Sequence, residues 1–148
     1  MNVLIRIAEE SDLPGILELF SQPDIDDGHI LELDKAGAIF NKMKLYPDYN
    51  TYVAEENGKI VGTFALAIMD NLTHMGSKSG LIESVVVLHS LQGQGIGKQM
   101  MKYAIDLCRE KKCHKVCLSS GLKRLKAHEF YEGLGFEKHG YSFLLQNF

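Results

Sequence analysis

Residues 81–98 constrain this chain more than any other stretch. A nearly continuous apolar run, Leu81-Ile-Glu-Ser-Val-Val-Val-Leu88, leads into Gln92-Gly-Gln-Gly-Ile-Gly-Lys98 and then into an amphipathic segment. The run reads as a strand buried on both faces. The following segment reads as a helix with Ile96, Met100, Ala104, Leu107 and Cys108 on one stripe and Lys98, Lys102 and Glu110 outside it. Three glycines at alternate positions between strand and helix let backbone N–H groups face a bound anion that side chains would otherwise block. The positive end of the helix adds to that attraction, so the turn suits a pyrophosphate.

Two nucleotide-binding readings of the turn fail on spacing. A P-loop ending at Gly97-Lys98 needs Ser or Thr next and a first glycine five positions before Gly97, but Gln99 and Gln92 stand there. A dinucleotide fingerprint starting at Gly93-x-Gly95 needs glycine at position 98, which is Lys98. The bland alternative is a structural glycine turn, and the turn alone does not exclude it.

The rest of the chain reads as one mixed α/β domain over residues 1–148. Val3 to Ala8 alternates as a strand, and Ser11-Asp12-Leu13-Pro14 supplies a capping oxygen and a first-turn proline for a helix carrying Ile16, Leu17 and Phe20. A second helix is expected from Leu31 to Lys44, ended by Pro47 and Asp48. Strands Thr51 to Glu55 and Lys59 to Met69 flank Glu56-Asn57-Gly58, the strongest hairpin signal in the chain. After the glycine helix come a buried strand at His114 to Ser119 and a helix from Leu125 to Leu134 stopped by Gly135. A final strand is expected from Tyr141 to Gln146. The expected order is β-α-α-β-β-β-α-β-α-β-β.

Composition narrows the partners. With 45% hydrophobic residues in 148 and a net charge of -3, the chain can bury a core and lacks the basic excess of a phosphate-driven nucleic-acid binder. Lys123-Arg124-Leu125-Lys126 is only a local cluster. No apolar run is long enough to span a bilayer, and the first ten residues do not read as a signal peptide, so a cytoplasmic location is expected. Cys108, Cys113 and Cys117 lack the paired spacing of a zinc site even with His114 nearby. Cys108 and Cys117 read as small buried residues, and no metal is expected.

Three segments together resemble the GNAT superfamily of N-acetyltransferases: Leu81 to Leu88, then Gln92 to Gly97, then Ala127-His-Glu-Phe-Tyr-Glu-Gly-Leu-Gly-Phe136. Gln92, Gly95 and Gly97 match the family's Q/R-x-x-G-x-G/A element. Phe130-Tyr131 and Gly135-Phe136 match its downstream helix, and the element order resembles the fold from end to end. The resemblance implies an acyl-CoA N-acyltransferase fold that takes acetyl-CoA as co-substrate. It places pantetheine along the backbone of Val85, Val86 and Val87. It puts the pyrophosphate on Gln92, Gly93, Gln94, Gly95, Ile96, Gly97 and Lys98, with Ser119 and Phe130 also at the cofactor. The family often carries an Asn before its Phe-Tyr pair, and none lies between Leu122 and Lys126; Ser119, Ser120 or a backbone group could take its place.

Direct transfer needs a neutral amine, a polarised thioester carbonyl and a proton for the departing thiolate. Glu83, the one carboxylate inside the apolar strand, is the candidate base; a wet face or a nearby cation is the equal alternative. A backbone N–H near Val87 is the candidate oxyanion donor. Tyr131 is the candidate acid, against a plain packing role. His89 and His128 are alternative bases, though each reads more simply as exposed.

The family resemblance puts the acceptor site against Asp24 to Tyr49 and Asp70 to Gly80. Asp24, Asp26, Asp27, Glu32 and Asp34 suit a cationic amine such as a polyamine or aminoglycoside, unless they are simply hydrated. Gly80-Leu-Ile-Glu with Gln-Gly-Gln-Gly also resembles glucosamine 6-phosphate acetyltransferases, whose acceptor would want clustered Arg or Lys. A peptide acceptor, a non-catalytic acyl-CoA sensor and a homodimer through the final strand stay open.

Overall fold

The computed structural model describes residues 2–148. They form two compact units, residues 2–117 and Leu118–Phe148. The first contains β1 (Leu4–Ile7), α1 (Leu13–Phe20), α2 (Leu33–Met43), β2 (Tyr49–Glu56), β3 (Lys59–Met69), β4 (Lys78–Val87), α3 (Ile96–Glu110) and β5 (Cys113–Cys117). The second contains α4 (Leu125–Gly133).

The sheet order is β1-β2-β3-β4-β5. The first four strands are antiparallel neighbours, and β5 joins parallel to β4 after the α3 crossover. The β2–β3 hairpin closes as its sequence requires, with Asn57 at φ 49° and Gly58 at φ 77°.

Alternation on β2 and β3 supplies both sides of the core. On one side Ala8, Leu13, Ile16, Ala36, Phe40 and Val53 cluster, backed by Leu17, Phe20 and Ile60. Helix α3 buries Ile96, Met100, Met101, Ala104 and Cys108, four of which its stripe anticipated; Leu107 is half-buried. Glycine at position 80 lets α3 approach β4, because a Cβ there would meet the Cys108 sulfur at 2.6 Å.

Four expectations are corrected. Asp12 does not cap α1 with its side chain. It accepts the Glu9 N–H at 2.7 Å and pairs with Arg6, so tertiary partners claim the carboxylate first. Strand β4 is not buried throughout: Glu83 and Ser84 are exposed where a bulge interrupts its pairing with β3. Strand β5 is half-exposed, ending at Cys117 rather than Ser119. The final strand does not form, and no strand follows α4 among the described residues. Tyr141, Phe143, Leu144, Leu145 and Phe148 are 89, 93, 79, 77 and 103% exposed. Apolar content alone cannot make a strand without a neighbouring edge to bond.

Candidate active site

The glycine turn follows a short 3-10 turn, His89–Leu91. Gly93 and Gly95 take φ of 77° and 86°, the left-handed region that glycine enters without strain. A Cβ at either would have nothing within 4 Å, so the space over the turn is open. Gly95 is the N-cap of α3 and supplies no side-chain cap. The first helical bond of α3 runs from Gln99 N–H to Gly95 O at 3.1 Å. The N–H groups of Ile96, Gly97 and Lys98 precede it and have no acceptor within the helix. These amides, at the positive end of a 15-residue helix whose first residue is anchored by burial, fit a phosphate group.

The strand before the turn has an open edge. Pairing between β4 and β5 runs only from Lys78–Leu81 to Cys113–Cys117, leaving Ile82 to Val87 without a β5 partner. Leu88 N–H donates to Val61 O at 2.9 Å, which makes Gly62–Val87 the adjacent non-hydrogen-bonded pair. The N–H and C=O of Val87 therefore point away from β3, to the open side. Val86, paired with Thr63, turns its backbone to β3. Val85 sits in the bulge, half-buried. Of the three expected backbone contacts, Val87 is the one aimed into the gap.

Glu83 lies beside the bulge and is exposed. Of its two sequence readings, apolar enclosure and a wet face, the wet face is found, where Ser84 takes φ 52° and turns this segment outward. Ser84 had no sequence signal: a serine inside an apolar run does not announce a left-handed backbone. Gln22 was missed as well. Its side chain meets the far end of β4, accepting from His89 N–H at 2.6 Å and lying 3.4 Å from Val87 O as a donor. Gln92 donates to the same carbonyl at 3.3 Å. Gln94 reaches Ser90 O at 3.5 Å, and Lys98 is exposed.

In the second unit, Tyr131 is half-buried, its ring edge-on to Phe130 at 5.1 Å and to Phe136 at 5.8 Å. Burial raises the phenol above its ordinary pKa, partly offset by the charge of Arg124, so it stays protonated at neutral pH. Gly135, at φ 92°, ends the helix as expected. Ser119 is exposed, whereas the buried Ser120 hydroxyl has no protein partner. His128 uses Nε2 to donate to Gly121 O at 2.8 Å. His89 is exposed, as are Lys123, Arg124 and Lys126.

The acidic residues Asp24, Asp26, Asp27, Glu32 and Asp34 are all exposed. Cys108 is buried, which pushes its thiol up to about 12. His114 stacks on His74 with ring centroids 4.1 Å apart.

Comparison with known proteins identifies the family. The profile of the Acetyltransferase (GNAT) family matches residues 13–136. A glucosamine 6-phosphate N-acetyltransferase from Trypanosoma brucei brucei is 33% identical over 146 residues, covering 94% of this chain and 92% of that one. An aminoalkylphosphonate N-acetyltransferase from Salmonella typhimurium is 32% identical over 99 residues, 67% of this chain and 64% of that one. The crystal structure of a transcriptional regulator from Bacillus halodurans C-125 superposes with a TM-score of 0.88 at 29% identity, covering 99% of this chain and 100% of that one.

Proposed function

Because the chain belongs to the acetyltransferase (GNAT) family and is an N-acetyltransferase, we propose that it transfers an acetyl group directly from acetyl-CoA to the primary amine of a small molecule. The observation that carries this reading is the pairing of two features on one strand end. The Val87 N–H faces an open β4 edge, and the unpaired amides of Ile96, Gly97 and Lys98 lie just beyond it in sequence. An extended pantetheine arm suits the first, and a pyrophosphate suits the second.

Acetyl-CoA, when bound, supplies the acetyl thioester. The Val87 N–H would stabilise negative charge on the carbonyl oxygen as the amine nitrogen bonds to the carbonyl carbon and the C–S bond breaks. The turn from Gln92 to Lys98 holds the phosphates. Tyr131 gives its proton to the departing thiolate, a role supported by a phenol that burial keeps protonated. Glu83, in contact with solvent, takes the amine proton directly or through water. The Ser120 hydroxyl, buried without a partner, is a better polar contact for a ligand than the exposed Ser119.

For the acceptor, we favour an amino sugar or another small amine carrying a phosphate or phosphonate. The two relatives named above act on glucosamine 6-phosphate and on an aminoalkylphosphonate, two amines that share this chemistry. A thiol-release assay with acetyl-CoA against glucosamine 6-phosphate, aminoethylphosphonate, a polyamine, an aminoglycoside and a peptide decides it. Turnover restricted to the phosphorus-bearing amines is expected. A preference for polyamine, aminoglycoside or peptide overturns the acceptor assignment. Binding of acetyl-CoA with no turnover favours the sensor alternative, which the fold shared with a transcriptional regulator keeps in view.

The family match runs across both compact units, which supports reading residues 1–148 as one N-acetyltransferase domain. We also propose a homodimer in which a second copy covers residues 141–148. The five exposed large side chains there offer on the order of 800 Å² to bury, the share of each partner in a standard interface. Each copy carries the same segment, so a twofold arrangement covers both. A cytoplasmic location completes the proposal; no helix among the described residues is long and apolar enough to cross a membrane.

A further inference from the structure

Gln22 is the first residue past the end of α1 and its C-cap Ser21, at the start of the segment that leads to α2. Its amide sits astride the corner where β4 gives way to the glycine turn. The Oε1 atom accepts from His89 N–H at 2.6 Å, and Nε2 donates to Val87 O at 3.4 Å and to Leu19 O at 3.0 Å. One side chain thus engages an N–H and a C=O two residues apart, the pattern that a neighbouring strand would provide. The peptide joining Val87 to Leu88 is then held at both ends, since Leu88 N–H is bonded to Val61 O at 2.9 Å. Gln92 adds a further donor to Val87 O at 3.3 Å.

This corner determines two directions together. Upstream, it sets the plane of the backbone that aims Val87 N–H at the open edge. Downstream, it sets where the chain enters the 3-10 turn His89–Leu91 and hence where the amides of Ile96 to Lys98 begin. Without Gln22, His89 N–H would have to find water and the corner would lose a bonded partner on that side.

We propose that Gln22 is a positioning residue for acetyl-CoA. It fixes the angle between the β4 edge that receives the acyl arm and the turn that receives the pyrophosphate. It also ties the α1–α2 segment, the expected acceptor wall, to that corner. The proposal rests on the acetyl-CoA reading above.

The test is calorimetric titration of acetyl-CoA into the full chain, without acceptor, alongside thermal unfolding of the unliganded protein. Gln22→Met removes both bonds to the corner and is expected to raise the acetyl-CoA Kd about tenfold, the scale of losing a hydrogen-bonded clamp. Its unliganded midpoint should stay within a few degrees of wild type. Gln22→Glu keeps the acceptor for His89 N–H and loses the donor to Val87 O. In about 0.5 M salt, where the added charge is screened, it should lie between wild type and Gln22→Met. A midpoint that falls while the Kd is unchanged makes Gln22 mere scaffold and overturns the proposal, as do variants that match wild type in both measurements. Wild-type protein that does not bind acetyl-CoA overturns this inference and the functional reading together. The two failures are therefore distinguishable.

Discussion

Arg6 holds Asp12 through two parallel hydrogen bonds, Nη1 to Oδ2 at 2.7 Å and Nη2 to Oδ1 at 2.9 Å. The same guanidinium reaches Glu55 on β2 at 2.8 Å, and Asp12 closes the turn before α1 by accepting Glu9 N–H. One ion pair thus joins the edge of the sheet to the start of the first helix. Bidentate geometry and the burial of Asp12 set it apart from the solvated pairs on α3.

Asp12→Asn is expected to lower stability by about 2–3 kcal/mol, roughly 5–10 °C in Tm, because it leaves Arg6 partly unpaired and weakens the turn. The Arg6 bonds hold the Asp12 carboxyl below its ordinary pKa, with burial opposing and the Glu9 bond assisting. A depressed folded-state pKa contributes stability that is fully present above the unfolded value and is lost as pH falls through the folded one. The Tm gap between wild type and Asp12→Asn should therefore shrink as pH falls below about 4. A gap that stays constant in thermal melts from neutral to strongly acid pH would count against the ion pair as its origin.

Ser84 adopts φ 52° inside a strand, where a β-branched side chain is strained. Ser84→Val should lose about 1–2 kcal/mol, whereas Ser84→Gly should not lower the thermal midpoint. Equal midpoints for the two variants would mean that the left-handed bulge is not what the position demands.

Tyr131→Phe removes the proposed proton donor while keeping the ring packed against Phe130 and Phe136. A fall in kcat of about 100-fold is expected, with a much smaller change in acetyl-CoA affinity. Since burial raises the phenol's pKa, wild-type kcat should not decline through loss of this proton until pH exceeds the ordinary tyrosine value. Near-normal kcat for the variant across the pH range would remove Tyr131 from the mechanism.

Truncation after Gly140 removes Tyr141, Phe143, Leu144, Leu145 and Phe148 together. Light scattering should find wild type as a dimer and the truncated chain as a monomer. A monomeric wild type whose tail resists proteolysis would show instead that the chain covers this segment itself.

The local parts of the candidate site were legible in the sequence. Asn57-Gly58, Gly93, Gly95 and Gly135 each meet a backbone angle that few other residues accept, and the hairpin, the glycine turn and the end of α4 formed as expected. Ile96, Met100, Ala104 and Cys108 showed their burial through helical spacing. Of the two readings of Glu83, enclosure and a wet face, the structure has the exposed one, because an apolar run cannot reveal the bulge beside it. Tyr141 to Gln146 has strand-like content without a strand, since the bonds that make one belong to a neighbour.

The sequence by itself determined the glycine turn, the hairpin and the element order through α4, because these depend on angles and periodicities set within a few residues. Tertiary structure alone decided that Asp12 belongs to Arg6 rather than to its own helix, that Val87 faces an open edge, and that Gln22 clamps the corner beside it. The Gln22 contacts join residues 65 and 67 positions apart. A hydrogen bond across such a distance depends on where the whole sheet carries each partner, and no local spacing records it.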